Sequence, residues 1–436
     1  MPFYYGYLNI EMVLYFYFVH LQSMSVLYNC IVIIATFFLS IVALFNKKIK
    51  LFVAGRATTF EKLSVFNAGD KVVWFHAASL GEFEQGRPII ERLKQESPSH
   101  KILLTFFSPS GYEVRKDYQL ADVVCYLPMD SKRNVKRFLD AVNPVMAVFI
   151  KYEFWPNYLK GLQQRNISTL LVSGIFRKKQ LFFTPFGGFM RQSLKAFDHF
   201  FVQDQISKDL LNSINQENVT ISGDTRFDRV YEILQQHNEL DYISAFKNKK
   251  YTVVAGSTWK EDERLLVNYI NNSASKEEKF IIAPHNMDTN AIDELKKSIL
   301  KKTVLYSEKE GKSLSDFEVF IVDTIGVLTK IYSVADAAYV GGGLTKNGVH
   351  NILEPATFGV PIVIGPVYKK YKEVVDLVSL NGCKVIANQK EFSTIFTKLK
   401  ENESYRNQLG EINTHFIKDN IGATKATMKY INTQLK

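Results

Sequence analysis

The sequence predicts an α/β protein of two domains, each a parallel sheet covered on both faces by helices, preceded by an apolar N-terminal helix. Three observations predict it. From Lys71 onward short continuous apolar runs alternate with amphipathic stretches, and a second series of the same kind begins at Thr252. Strands buried on both faces read as continuous apolar runs, and helices between them imply parallel pairing. A polar, charged stretch at Lys247–Lys250 divides the two series, and no Asp, Glu, Lys or Arg occurs between Met12 and Asn46.

The 436 residues suffice for two ordinary domains and an extra segment, and an apolar content of 46% supplies a large core. The net charge of +10 comes from basic residues spread along the chain. That distribution suits a membrane surface or a phosphorylated substrate as well as nucleic acid. Cys30, Cys125 and Cys383 are far apart and lack metal-ligand spacing, which points to a reducing compartment without a disulfide framework. Val26 to Phe45 is apolar over about the 20 residues a bilayer requires. Lys47, Lys48, Lys50 and Arg56 follow at once, so the positive-inside rule places the rest of the chain in the cytoplasm. A cleaved signal peptide fits less well, because no basic region precedes the run and no small-x-small site ends it. Residues 1–23 are aromatic-rich and form a second, poorer apolar run, from which a translation start at Met24 is expected. An N-terminal peptide containing Tyr4 or Tyr5 would refute that start. The expected division is an anchor over 1–50, a first domain over 51–228 and a second over 229–436, with the last helix returning to the first domain.

In the first series the strands are Val72–Phe75, Ile102–Phe106, Val123–Leu127, Val145–Ile150, Leu170–Ser173, Phe200–Gln203 and Val219–Ser222. Helices at Glu84–Lys94, from Ser110, at Ser131–Val142 and at Pro156–Gln164 separate the first five of them. Functional groups in such sheets lie beyond the carboxyl ends of the strands. Two segments occupy that position. One is His76-Ala77-Ala78-Ser79-Leu80-Gly81-Glu82. Glu82 there is either a helix-start carboxylate favoured by the dipole or a general base taking a proton from an attacking hydroxyl. The other is Lys151-Tyr152-Glu153-Phe154-Trp155-Pro156-Asn157, either a charged and aromatic pocket wall or merely the start of a helix. Arg226, in Gly223-Asp224-Thr225-Arg226-Phe227-Asp228, falls at the domain join. It is either a group at the mouth of an interdomain cleft or a hinge salt bridge of little energetic weight. A charged helix, about Val230–Phe246, leads on.

In the second series strands at Thr252–Ala255, Phe280–Ala283, Val319–Val322, Ala337–Val340, Pro361–Ile364 and Lys384–Ile386 end in Gly256-Ser257-Thr258, Pro284-His285-Asn286 and Asp323-Thr324-Ile325-Gly326, among other turns. The centre of this half is Val334–Pro366, which reads strand, glycine turn, helix, strand. Gly341, Gly342 and Gly343 permit a sharp turn and a close approach. Asn351 is expected to cap a helix over Ile352–Phe358, ending at Gly359. A glycine turn before a helix N-terminus is a ready anion site. Glu354 in its first turn would repel a phosphate but could accept hydrogen bonds from two ribose hydroxyls. The alternative is a capped helix in an α/β core, since glycine motifs misfire often. The loops after Ala255, Ala283, Val322 and Val340 can converge on one nucleotide. His285, at a strand end, is a candidate contact. No Cys/His cluster suggests a metal, and no Gly-x-Gly-x-x-Gly follows the first strand of either half, which argues against a nicotinamide dehydrogenase.

The segments HAASLGE (76–82), KYEFWPN (151–157), GDTRFD (223–228), APH (283–285), VDTIGVL (322–328) and VGGGLTKNGVHNILEPATFGVPIVIGP (340–366) together resemble the Kdo (3-deoxy-D-manno-octulosonic acid) transferases of lipopolysaccharide assembly. The resemblance runs in order from the apolar helix to the C-terminus. It implies a GT-B fold, two doubly wound Rossmann-like domains with a cleft between them, the acceptor on the first and CMP-Kdo mainly on the second. It further implies an inverting glycosyltransferase that moves Kdo to a glucosamine 6-hydroxyl of the lipid A precursor at the inner membrane, with no metal, no cofactor beyond the donor and no nucleic acid. By motif, Glu82 matches the base and Arg226 a basic residue that stabilises transition-state charge. Pro284, His285, Ile325, Gly326, Val327 and Asn351, Ile352, Leu353, Glu354 match CMP-contacting segments; Ser257, Thr258, Gly342 and Gly343 adjoin them. The chain departs from the pattern in several places. Lys151 stands where many members have Glu, with Glu153 at the next acidic position. His285 replaces a common Arg, Val327 a common Glu, Gly343 a Ser and Val349 a Gly. Readings outside the family are a UDP-sugar transferase or epimerase of similar fold, and a non-catalytic membrane-anchored nucleotide- or lipid-binding protein.

Overall fold

The computed structural model describes residues 4–435, with side chains from Gln22 onward; Tyr4 and Tyr5, on which the Met24 start turns, have side chains outside the described part. The chain forms two compact units, one comprising residues up to Asp228 together with the stretch from Gly422 onward, the other Arg229–Ile421.

The first unit begins with α1 (Tyr4–Val42), α2 (Lys47–Ala57) and α3 (Thr59–Leu63). The stretch Gln22–Val42 of α1 is long and apolar enough to cross a membrane. The apolar run was expected to continue to Phe45. Instead the helix stops at Val42, because the Asn46 side chain accepts the amides of Lys48 and Ile49 and starts α2. The sheet follows as β1 (Val72–Ala77), α4 (Leu80–Glu96), β2 (Lys101–Phe106), α5 (Pro109–Arg115), β3 (Val123–Tyr126), α6 (Lys132–Val142), β4 (Met146–Ile150), α7 (Pro156–Gln164), β5 (Ser168–Gly174), α8 (Gly188–Leu194), β6 (His199–Val202), α9 (Gln205–Asn212) and β7 (Val219–Ile221). Its order is β3-β2-β1-β4-β5-β6-β7, with every pairing parallel. Period-two alternation places Trp74, Leu103 and Phe149 in one core layer and Phe75, Leu104 and Val148 in the other. All six are fully buried, each contributing about 1.5–3 kcal/mol.

Helix α10 (Thr225–Ile233) straddles the join. The single helix expected over Val230–Phe246 is in fact two, α10 and α11 (Asp241–Lys247). The polar Gln235–Glu239 has no apolar face to bury, and the Asn238 side chain donates to the Ile233 carbonyl and closes α10.

The second unit runs β8 (Tyr251–Thr258), α12 (Lys260–Asn272), β9 (Glu278–Pro284), α13 (Thr289–Ser298), β10 (Thr303–Leu305), β11 (Val319–Ile321), α14 (Leu328–Ile331), β12 (Ala337–Val340), α15 (Leu353–Thr357), β13 (Ile362–Ile364), α16 (Lys372–Ser379), β14 (Cys383–Val385), α17 (Gln389–Glu401) and α18 (Glu403–Asp419). Its parallel sheet has the order β10-β11-β9-β8-β12-β13-β14. The three-residue edge strand β10 carried too little sequence signal to be expected. Helix α19 (Ala423–Gln434) belongs to the first unit, where Met428 and Ile431 join the core layer of Phe75. Asp228 accepts the amides of Gly422 and Thr424 at 2.7 and 3.0 Å and so starts α19.

The glycine turn after β12 has a packing reason. A Cβ on Gly343 would lie 2.7 Å from the Gly365 amide nitrogen, and one on Gly365 would run into the Gly343 backbone. The turns after β12 and β13 therefore pass backbone on backbone, pinned by a 2.9 Å bond from Val367 N to Gly343 O. Gly365→Ala has no flexible side chain to push aside. We expect it to destabilise the second unit by about 1–3 kcal/mol, read as a lowered urea midpoint for that unit's transition.

Candidate active site

In the first unit, β1 and β4 are neighbours at the point where strand order reverses, so the loops leaving their carboxyl ends lie side by side. The β1 loop enters α4 through Ser79, whose extended backbone makes it the N-cap. Ser79-x-x-Glu82 has the spacing of a capping box, yet the serine hydroxyl donates to the Glu82 carboxylate and caps no backbone amide. Glu82 is thus held as a side chain rather than spent on the helix end, and it is only 6% exposed. From the β4 loop, Lys151 Nζ and Tyr152 OH each stand 3.5 Å from Glu82 Oε1, at the outer limit of hydrogen bonding. Burial, then the charges of Glu82 and Glu153, raises the Tyr152 phenol pKa, so Tyr152 faces Glu82 as a neutral donor. Lys151 adopts φ +72°, a left-handed conformation that costs energy in a side-chain-bearing residue and clusters at functional sites.

Glu153 does not join this group. Its carboxylate turns into the core, where it accepts from Trp155 Nε1 at 2.9 Å and meets His76 Nε2 at 3.3 Å. Both Glu153 and His76 are buried. Arg226 lies in the first turn of α10 and donates through Nε (3.0 Å) and Nη2 (2.7 Å) to Asp224. Burial opposes ionisation of Asp224, but Arg226 and the hydrogen bonds to it hold the carboxyl pKa below its ordinary value. The same carboxylate accepts from Gln85, one turn after Glu82 on α4. The first two turns of α4 therefore touch both candidate groups, through Glu82 and Gln85.

In the second unit, strand order reverses between β8 and β12. There Ser257 takes φ +53° and the Thr258 hydroxyl donates to Glu263 at 3.0 Å. The key group is Asp262, fully buried on α12. It accepts the amides of Trp259 (2.9 Å) and Gly342 (2.8 Å) and the Tyr339 hydroxyl (2.6 Å). The Gly342 amide is therefore committed to Asp262, and that of Gly341 to the Gly256 carbonyl. The expected helix over Ile352–Phe358 is shorter, only Leu353–Thr357. Asn351 Oδ1 accepts the Leu353 amide at 3.1 Å, and Ile352 and Leu353 are buried. Glu354 is steered by Asn351 Nδ2 (2.9 Å) and the Thr329 hydroxyl (2.7 Å). On the β11 loop, Ile325 is 83% exposed, Gly326 has φ +96° and Val327 is half-buried.

Pro284 ends β9, and the His285 amide bonds the Thr258 carbonyl at 2.9 Å. Trp259 and His350 lie edge to edge and nearly coplanar, Trp259 Nε1 donating to His350 Nε2 at 2.9 Å, and the His285 ring stacks on both (4.8 Å, 21° and 4.3 Å, 22°). Trp259, His350 and Asp262 were not singled out in the sequence. The only signal for the first two was their position at strand-end loops, and Asp262 lies within the acidic run Glu261-Asp262-Glu263, in which nothing in the sequence sets it apart. A cavity of about 600 Å³ opens beside them between α12 and α13, walled by Thr258, Trp259, Arg264, Pro284 and Asn286.

Residues 54–229 match the family model of 3-deoxy-D-manno-octulosonic-acid transferase (kdotransferase). The 3-deoxy-D-manno-octulosonic acid transferase of Aquifex aeolicus is 28% identical over 333 residues, 75% of this chain and 85% of that protein. The family model and this relative both point to the Kdo transferase family. A bifunctional glycosyltransferase/methyltransferase of Fusobacterium nucleatum is 27% identical over 377 residues, which are 83% of this chain but 57% of that longer protein. Among solved structures, UDP-GlcNAc 2-epimerase from Neisseria meningitidis aligns with 83% of this chain and 100% of its own, at TM-score 0.57 and 14% identity. At that identity the likeness is one of fold, GT-B with two Rossmann-like units. The motif-matching positions Glu82 and Lys151 are thus adjacent in this chain, while Glu153 is turned inward.

Burial, reinforced by the neighbouring His285, lowers the His350 pKa to about 4 from an ordinary 6.5. Between those values the unfolded chain binds the proton and the folded one does not, so stability rises with pH. The contribution is complete above about pH 6.5 and is lost as pH falls towards 4. Thermal melts from pH 7.5 to 4.5 should show the second unit weakening more steeply in the wild type than in His350→Asn. Parallel pH profiles for the two would dissociate His350 from the effect.

Proposed function

We propose that this protein is a Kdo transferase that moves Kdo from CMP-Kdo to a glucosamine 6-hydroxyl of the lipid A precursor, with inversion at the anomeric carbon. The observation that carries the reading is Glu82. In a chain of this family, a buried carboxylate stands beyond the sheet's carboxyl end, oriented by Ser79 and faced by Lys151 and Tyr152. A carboxylate so placed can take the proton of the acceptor hydroxyl as its oxygen attacks. Lys151 and Tyr152 are donors that balance the charge of Glu82 and give it direction.

The acceptor is assigned to the first unit and the nucleotide to the second. There the paired acceptors of Glu354 suit ribose hydroxyls, and the turns bearing Ser257, Thr258, His285 and Gly326 line the strand ends. As the glycosidic bond breaks, the sugar centre becomes cation-like and CMP leaves with the negative charge. Fixed donors rather than a metal stabilise that charge. Arg226 suits this role because Asp224 and Gln85 hold it in one orientation. Because Tyr28 and Asn29 bond Asp130 and Asn157, we assign attachment to the apolar face of α1 at the cytoplasmic side of the inner membrane, in place of the single bilayer crossing expected from the sequence. Lys47, Lys48 and Lys50 follow α1 and suit anionic phospholipid.

Detergent-solubilised full-length protein, incubated with CMP-Kdo and lipid A precursor in EDTA, should yield acceptor heavier by one Kdo. No product from folded protein, with UDP rather than CMP competing for the nucleotide site, would overturn the reading. Glu82→Gln should reduce turnover by about 10²–10⁴-fold, the range of general base catalysis, while CMP affinity stays within twofold of wild type. Retained turnover would remove Glu82 from the base role.

A further inference from the structure

Two polar side chains lie inside the apolar stretch of α1 and face the first unit. Tyr28 OH donates to Asp130 Oδ2 at 2.8 Å, and Asn29 Oδ1 accepts from Asn157 Nδ2 at 3.1 Å. The Tyr28 ring also sits 5.7 Å from Phe189 on α8. Neither partner is an incidental surface group. Asp130 is 1% exposed, and its two oxygens accept the backbone amides of Asn157 (3.0 Å) and Tyr158 (2.9 Å). These are the first-turn donors of α7, whose own N-cap, Trp155, supplies no side-chain acceptor. Asn157 is itself buried and donates to the Asp130 carbonyl as well.

Helix α7 is where the 151–157 loop ends. That loop carries Lys151, against Glu82, and Trp155, against Glu153. A continuous set of hydrogen bonds therefore leads from α1 through Asp130 and Asn157 to the end of the loop. Removing the Tyr28 hydroxyl deprives a buried carboxylate of one of its three side-chain and backbone donors. Removing the Asn29 amide strips a partner from Asn157. Unsatisfied buried polar groups loosen the structure around them.

We propose that Tyr28 and Asn29 are positioning residues for the 151–157 loop, so that the apolar helix helps set the geometry at Glu82 as well as attaching the protein. The catalytic part of this inference rests on the role proposed above for Glu82. The test uses the full-length Tyr28→Phe/Asn29→Ala variant in detergent micelles. Tyr28→Phe alone, which keeps the ring beside Phe189, serves if the double variant does not fold. Hydrogen exchange of a peptide spanning residues 151–160 should accelerate about tenfold. The kcat for Kdo transfer should fall about tenfold with KM for CMP-Kdo unchanged, and sedimentation with membranes should not change. Unaltered exchange over 151–160 would overturn the proposal. Faster exchange with unaltered kcat would reduce the contacts to a structural role and overturn the positioning claim. Faster exchange in a protein whose wild type transfers no Kdo would count against the transferase reading and leave the coupling of α1 to the loop standing.

Discussion

Parallel pairing at two strand-order reversals is the constraint on which the rest of this molecule depends. A parallel strand pair brings the two loops at its carboxyl ends together without further instruction from the loops themselves. In the first unit the pairing of β1 with β4 brings Ser79 and Glu82 beside Lys151 and Tyr152. In the second, the pairing of β8 with β12 sets Ser257–Trp259 beside the glycine turn and His350. Each meeting point is then fixed by a buried carboxylate that belongs to a helix start or a strand end: Asp224 and Asp130 in the first unit, Asp262 in the second. These carboxylates accept backbone amides from the adjoining loops, which converts sheet topology into defined loop geometry.

The two sites are held by different means. Around Glu82 one oxygen is held by the Ser79 hydroxyl, while Lys151, in a left-handed conformation, and Tyr152 face the other at the limit of hydrogen-bond range. In the second unit the supports are close: the Asp262 carboxylate under the glycine turn, backbone on backbone at Gly343 and Gly365, and stacked rings at Trp259, His285 and His350.

Much of this was legible in the sequence because buried parallel strands are continuous apolar words with loops at fixed ends. The span of β12, the position of Glu82 at the start of α4 and the proximity of the 76–82 and 151–157 loops all follow from that grammar. What escaped it depends on side-chain direction or on long-range pairing. Glu153 reads as one more acid in a charged loop, yet the backbone turn at Lys151 sends it to His76, 77 residues earlier. Trp259 and His350 meet across 91 residues, and no periodicity announces such a pair. The glycine turn invited an anion, whereas the Gly342 amide already has Asp262. The break between α10 and α11 turned on one asparagine closing a helix end.

The contacts of Tyr28 and Asn29 also carry a consequence in time. Their partners Asp130 and Asn157 lie 102 and 128 residues further along the chain. A ribosome finishes the apolar helix long before it has made the strands and helix that complete those contacts. At synthesis rates of about 5–20 residues per second the interval is several seconds, far longer than a helix needs to form. For that interval the helix exists with its polar pair uncovered and its apolar face complete. The helix is therefore complete before the loop whose end it contacts has been made.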